Sequence, residues 1–250
     1  MKKIVFSILS ASSLLLGGCF ETTQEITINE DGTGTYSNIS DMSSALTIAK
    51  NMGAAGNDKM PVETMDSSFS LTTAVEKMEG LTEADKELLK KGTMHVKMNL
   101  EDEKLLTSLS FGFSSFDDIK KFNMLSGRMM MESIKTKLPQ DMPMGADQMP
   151  EPSSFDDYYT IEFSKDEIKR KLNKDKYDGV NSDQFLTGLK QAGEMGIPIT
   201  TTYIINLPRP AEKLEGKNAK LSEDKKKVII KASIDDFFDN PESLEFKVKY

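Results

Sequence analysis

The strongest constraint in this sequence is a period of two. Met94, Val96, Met98 and Leu100 alternate with His95, Lys97 and Asn99. After a polar turn at residues 101–104, Leu105, Leu109, Phe111 and Phe113 continue the pattern. Successive strand residues point to opposite faces, so this segment predicts two antiparallel strands with one buried and one wet face. Residues 25–39 read as a hairpin: Ile26 and Ile28 alternate with polar residues, Asp31-Gly32 supplies a turn, and Thr33, Thr35 and Tyr36 favour a returning strand. Tyr159, Ile161 and Phe163 mark another strand, as do residues 200–207 and 228–232. Leu244, Phe246, Val248 and Tyr250 alternate to the last residue, which predicts a C-terminus tied into a sheet.

Helical signals fall between these strands. Residues 42–52, 71–78 and 83–91 read as helices, the last capped by Thr82 and ended by Gly92. Residues 53–70 read as a loop. Three strand-to-helix corners place an acid three residues after a serine: Ser115 with Asp118, Ser164 with Glu167, and Ser233 with Asp236. The serine oxygen accepts from an early helix N–H, and the acid returns toward the cap. Ile168 and Leu172 then lie one helical turn apart, and Ser182 or Asn181 would cap a helix through Gln191. These elements predict an α+β fold, mainly antiparallel, with helices packed on one sheet face. Residues 123–154 change composition, gathering methionines and prolines. A boundary near 138–155 would separate two lobes within the 25–250 body.

Composition narrows the function. The chain has 250 residues and a formal charge of −8, and 38% of its residues are hydrophobic, enough for one substantial core or two small ones. An acidic chain is a poor partner for a nucleic-acid backbone. A single Cys excludes an internal disulfide, and a single His excludes a His-cluster metal site.

The N-terminus reads as targeting. Lys2 and Lys3 precede an apolar stretch from Ile4 to Leu16, too short to anchor across a bilayer and of the right length for a secretory signal. Leu16-Gly17-Gly18-Cys19 resembles the lipobox of bacterial lipoproteins. The resemblance implies that residues 1–18 are a signal peptide cut before Cys19, that the Cys19 sulfur carries lipid, and that the new amino group is acylated too. The alternatives are an ordinary signal peptide with an incidental cysteine, or a buried cysteine in a first helix. Two or three acyl chains hold a protein stably, whereas one does not. Removing residues 1–18 leaves 30 basic and 40 acidic side chains, so the anchor and not the body's charge would hold the membrane. Residues 19–24 read as the lipidated cysteine and a short tether. Phe20 stands where an Asp would favour inner-membrane retention. The expected location is therefore the bacterial cell envelope, at the outer membrane, facing the periplasm or the cell surface.

The C-terminal third resembles the LppM-type domain of bacterial lipoproteins. The matching features are a strand ending at Leu207-Pro208, a small polar turn at residues 216–219, and a charged turn before the Val228 strand. An aromatic expected in that last strand is absent, and the match covers under a fifth of the chain. It implies an envelope domain that binds a ligand or partner without a reaction.

Candidate chemistry is sparse. His95 lies on a polar strand face with no local nucleophile or orienting group. No G-x-S-x-G, H-E-x-x-H or Walker loop is present, and no cofactor motif. Residues 173–185 mimic a calcium loop, but Lys174, Lys176 and Phe185 would stand at ligand positions. Met124, Met129, Met130, Met131, Met142, Met144 and Met149 form a methionine-rich stretch over 124–149. Packing, a contact surface, and Cu(I) ligation by thioethers are its three readings. The leading expectation is a lipid-anchored envelope protein with a non-catalytic binding or scaffolding role. Its partners would be the membrane, through the lipid, and an envelope protein or apolar ligand. An apolar-ligand or lipid-handling domain, and Cu(I) binding by residues 142–149, are the alternatives.

Overall fold

The computed structural model describes residues 20–43, 64–76, 78–137, 150 and 153–250. Twelve strands and six α-helices are described: β1 (Phe20–Ile28), β2 (Gly34–Asp41), β3 (Thr64–Ser70), α1 (Thr72–Val75), α2 (Glu83–Lys90), β4 (Thr93–Asn99), β5 (Lys104–Phe113), α3 (Phe116–Lys137), β6 (Tyr159–Phe163), β7 (Glu167–Leu172), α4 (Lys174–Tyr177), α5 (Gln184–Glu194), β8 (Ile199–Asn206), β9 (Lys213–Glu215), β10 (Ala219–Leu221), β11 (Lys227–Ser233), α6 (Ile234–Asp239) and β12 (Phe246–Lys249). The fold is α+β. One sheet has the order β10-β11-β8-β1-β2-β5-β4-β3, and the other β6-β7-β12-β9. All neighbours are antiparallel except the β1–β8 pair, which runs parallel from Phe20↔Ile199 to Thr27↔Asn206.

Alternation sets the buried face. In β8, Ile199, Tyr203 and Ile205 point inward, and in β11 Val228, Ile230 and Ala232 do so. Tyr36, Phe111 and Phe113 continue that face on β2 and β5. Two cores lie on it. One gathers Tyr36 and residues between 71 and 125 beneath α1, α2 and α3. The other gathers Ile28 and residues between 155 and 250 against the four-stranded sheet, α5 and α6. Ile26 and Phe116 pack against both cores. The Phe116 ring stacks on Phe163 at 3.7 Å and meets Phe113 edge-on at 5.2 Å. Gly34 lets β1 and β2 close tightly, since a Cβ there would meet the Thr27 carbonyl and the Phe113 ring.

Local signals explain several ends. Thr82 and Asp85 form a reciprocal capping box on α2, and Ser233 and Asp236 form one on α6. At Ser115 the acid does return, because the Ser114 and Ser115 amides both donate to Asp118 Oδ2.

Four local expectations need correction. Residues 64–70, read as loop, form β3; its Thr, Asp and Ser residues lack a strand signature, and pairing with β4 supplies the order. The Ser164–Glu167 corner opens no helix, because residues 167–172 form β7. Isoleucine and leucine four apart satisfy a period of two as well as one near 3.6, and pairing with β6 decides between them. Asp183, not Ser182 or Asn181, caps α5 by accepting from the Leu186 amide at 3.0 Å. Residues 21–24, read as tether, belong to β1, hydrogen-bonded between β2 and β8. The expected helix over 42–52 lies almost wholly outside the described residues, as do residues 1–18 and Cys19.

Candidate functional site

The most unusual chemistry lies in the seam between the cores. On β7, Ile168, Arg170 and Leu172 face inward while Glu167, Lys169 and Lys171 face out. That alternation drives a guanidinium into the interior, where Arg170 is 2% exposed. Its Cζ lies 4.0 Å from the centre of the Tyr159 ring and 4.5 Å from that of Tyr203. Two aromatic faces thus replace part of its lost hydration. Asp156, from the short 3-10 helix Phe155–Tyr158, completes the charge pair at 3.1 Å.

The pair is close but poorly aligned. Among the described residues, Arg170 Nε and Nη2 and Asp156 Oδ1 all lack a hydrogen-bond partner, as do the buried Tyr36 hydroxyl and Asn38 Oδ1 nearby. Burial raises the Asp156 carboxyl, with Arg170 pulling the other way. Burial also raises the Tyr36, Tyr159 and Tyr203 hydroxyls, which stay protonated. The seam therefore holds a fixed cation, a carboxyl group and three neutral phenols. It can orient polar groups, and none of its phenols is poised to lose a proton near neutrality.

His95 is exposed on β4, with Nε2 2.7 Å from Asp66 Oδ1 on β3. The sequence offered no orienting acid, because Asp66 lies in the segment read as loop. Hydrogen bonds to His95, then Lys97, hold the Asp66 carboxyl below its usual range. Ser68 and Ser108 are the cross-strand neighbours of His95, and neither serine hydroxyl is hydrogen-bonded to the imidazole among the described residues. Both side chains are open to solvent on this face, without the enclosure a catalytic pair needs.

Met124 and Met129, the methionines of this stretch whose side chains are described, do not converge. Met124 is exposed, Met129 packs against the first core, and Met130 and Met131 follow along α3. Met142, Met144 and Met149 lie outside the described residues. No group of three or more His, Cys, Asp or Glu residues is arranged to hold a metal ion among the described residues. Two depressions flank Tyr177, whose hydroxyl donates to the Phe237 and Phe238 carbonyls at 2.7 and 3.0 Å. Both open to solvent and carry charged residues such as Asp178, Lys190 and Glu242, unlike the enclosed apolar space a lipid-handling domain needs.

No protein-family model matches the chain, and no curated protein matches it. Among solved structures it is similar to the NMR structure of the Mycobacterium tuberculosis LppM folded domain. The identity is 8% and the TM-score 0.38, with 94% of this chain and 91% of that chain covered. The likeness is distant and carries no assignment of ligand or activity. No helix among the described residues is long and apolar enough to cross a membrane.

Proposed function

We propose that this chain is a lipid-anchored protein of the bacterial cell envelope whose α+β body binds or scaffolds a partner rather than catalysing a reaction. The observation that carries this reading is the sequence Leu16-Gly17-Gly18-Cys19 standing directly before the first strand residue, Phe20. A signal that ends one residue before the described strand β1 fits cleavage at that junction. It leaves one thiol at the new N-terminus, the group that a thioether-linked lipid requires. The body's acidic balance supplies no attraction to anionic lipid, so the acyl chains would provide the membrane affinity. The binding role is supported by the open polar surface around Tyr177 and by a buried polar seam that fixes the body's shape.

Metabolic labelling with an acyl-chain probe tests this. The wild-type chain should incorporate the label, begin at residue 19 by intact-mass measurement and fractionate with membranes. Cys19→Ser should abolish labelling and leave residues 1–18 uncleaved by the lipoprotein-processing route. An unlabelled wild-type chain would overturn the assignment.

A further inference from the structure

The sheet register fixes what lies beside Phe20, the residue that follows Cys19 in the sequence. Phe20 pairs with Ile199 across the parallel β1–β8 ladder, so the start of β8 sits one strand spacing, about 4.8 Å, from the start of β1. The loop joining α5 to β8 therefore emerges at the anchored end. It reads Met195-Gly196-Ile197-Pro198 and carries no charge. Met195 is 74% exposed, the highest value among the exposed large apolar side chains of the described residues.

This tip is held out and not merely loose. The Met195 amide donates to the Gln191 carbonyl, Gly196 to Gly193, and Ile197 to Ala192. Gly196 takes a positive φ of 91°, which closes the helix end and turns the chain into β8. Met195 lies four residues before Ile199, within about 14 Å of it along the chain.

The other side of β1 differs in charge. Glu21 pairs with Asp41 on β2, and Asp41 pairs with Leu106 on β5. The β4–β5 turn, with Glu101, Asp102 and Glu103, thus projects from the same end of the sheet. Carboxylates resist dehydration and are repelled by anionic headgroups, whereas an uncharged thioether gains by leaving water. Glu194 directly precedes the loop, and the Ser233–Thr200 pair brings the start of α6, with Asp235, to the same end of the sheet; these acids limit how deeply the loop can enter.

We propose that the Met195–Pro198 loop seats in the interfacial layer of the bilayer beside the acyl anchor, so that the body leans onto its β8 side and lifts the acidic β4–β5 turn. This contact rests on the lipid-anchor reading and deepens it by naming the face turned to the membrane. The lipid occupies the Cys19 thiol, so an introduced cysteine becomes the single free thiol of the mature chain.

Full-length Met195→Cys, Glu101→Cys and Glu30→Cys proteins, processed and acylated in cells, would be labelled with bimane and placed in phosphatidylethanolamine–phosphatidylglycerol vesicles. Glu30 lies in the β1–β2 turn at the far end of the sheet. Doxyl groups near the lipid headgroup should quench the label at position 195 roughly twofold or more beyond that at 101, with position 30 unquenched, as for a group about 5–10 Å into the interface. An acylated, vesicle-bound protein with equal quenching at 195 and 101, or more at 101, would overturn the contact and leave the anchor standing. A chain without acyl label would remove both.

Discussion

Arg170 carries a full charge between two tyrosine rings, and among the described residues its counterion is Asp156. Removing one member of such a pair leaves the other stranded in the interior. Asp156→Ala should therefore destabilise the fold by about 3–5 kcal/mol in urea titrations. Replacing both, as Asp156→Leu with Arg170→Met, should recover most of that loss, because aliphatic groups of similar volume need no counterion. A double variant no more stable than Asp156→Ala alone would show that the pair holds the seam through its polar geometry. Arg170 was hard to see in the sequence because a lysine- and arginine-rich run, EIKRKL, reads as solvated surface. The one available signal was its place midway between Ile168 and Leu172 in a period of two.

Among the elements, α2 and α3 are joined by one acid. Asp85 caps α2 through Thr82 and meets Lys121 of α3 at 2.6 Å. Lys121, then Thr82, holds its carboxyl at about 2, below the usual 3.8. Because the folded value is depressed, this stabilisation is present above the unfolded pKa and is lost as pH falls through the folded one. Asp85→Asn should flatten the fall in urea midpoint between about pH 4 and pH 2, relative to the wild type. An unchanged slope there would assign the acid sensitivity to other carboxylates. The cap itself was legible: Thr82 with an acid three residues on is a local pattern, and local patterns survive folding. The β4–β5 pair and the β1–β2 hairpin were legible for the same reason, since an adjacent partner and a short turn fix their register. What depended on distant partners was not. Strand β3 owes its form to β4, β7 to its place beside β6 and β12, and the parallel β1–β8 contact joins residues about 180 positions apart. The seam is a product of those distant pairings, so no local reading could assemble it.

For the whole molecule, β1 is the common wall. It bonds to β2, which carries Tyr36 of one core, and to β8, which carries Tyr203 and Ile205 of the other. Thr23→Pro removes an amide donor from a strand paired on both sides, a change tolerated only at sheet edges. Hydrogen exchange should then show β5 and β11 losing protection together, although they belong to different cores. Loss of protection in β5 alone would mean that the cores are energetically separate. The same strand has a mechanical consequence. A load applied at its first residue runs along the strand axis and meets the two hydrogen-bond ladders broadside, eight residue pairs on each flank. Those bonds must give way together rather than peel one by one, so a protein tethered at this point would resist a tug from the N-terminus far better than one hung from an edge strand.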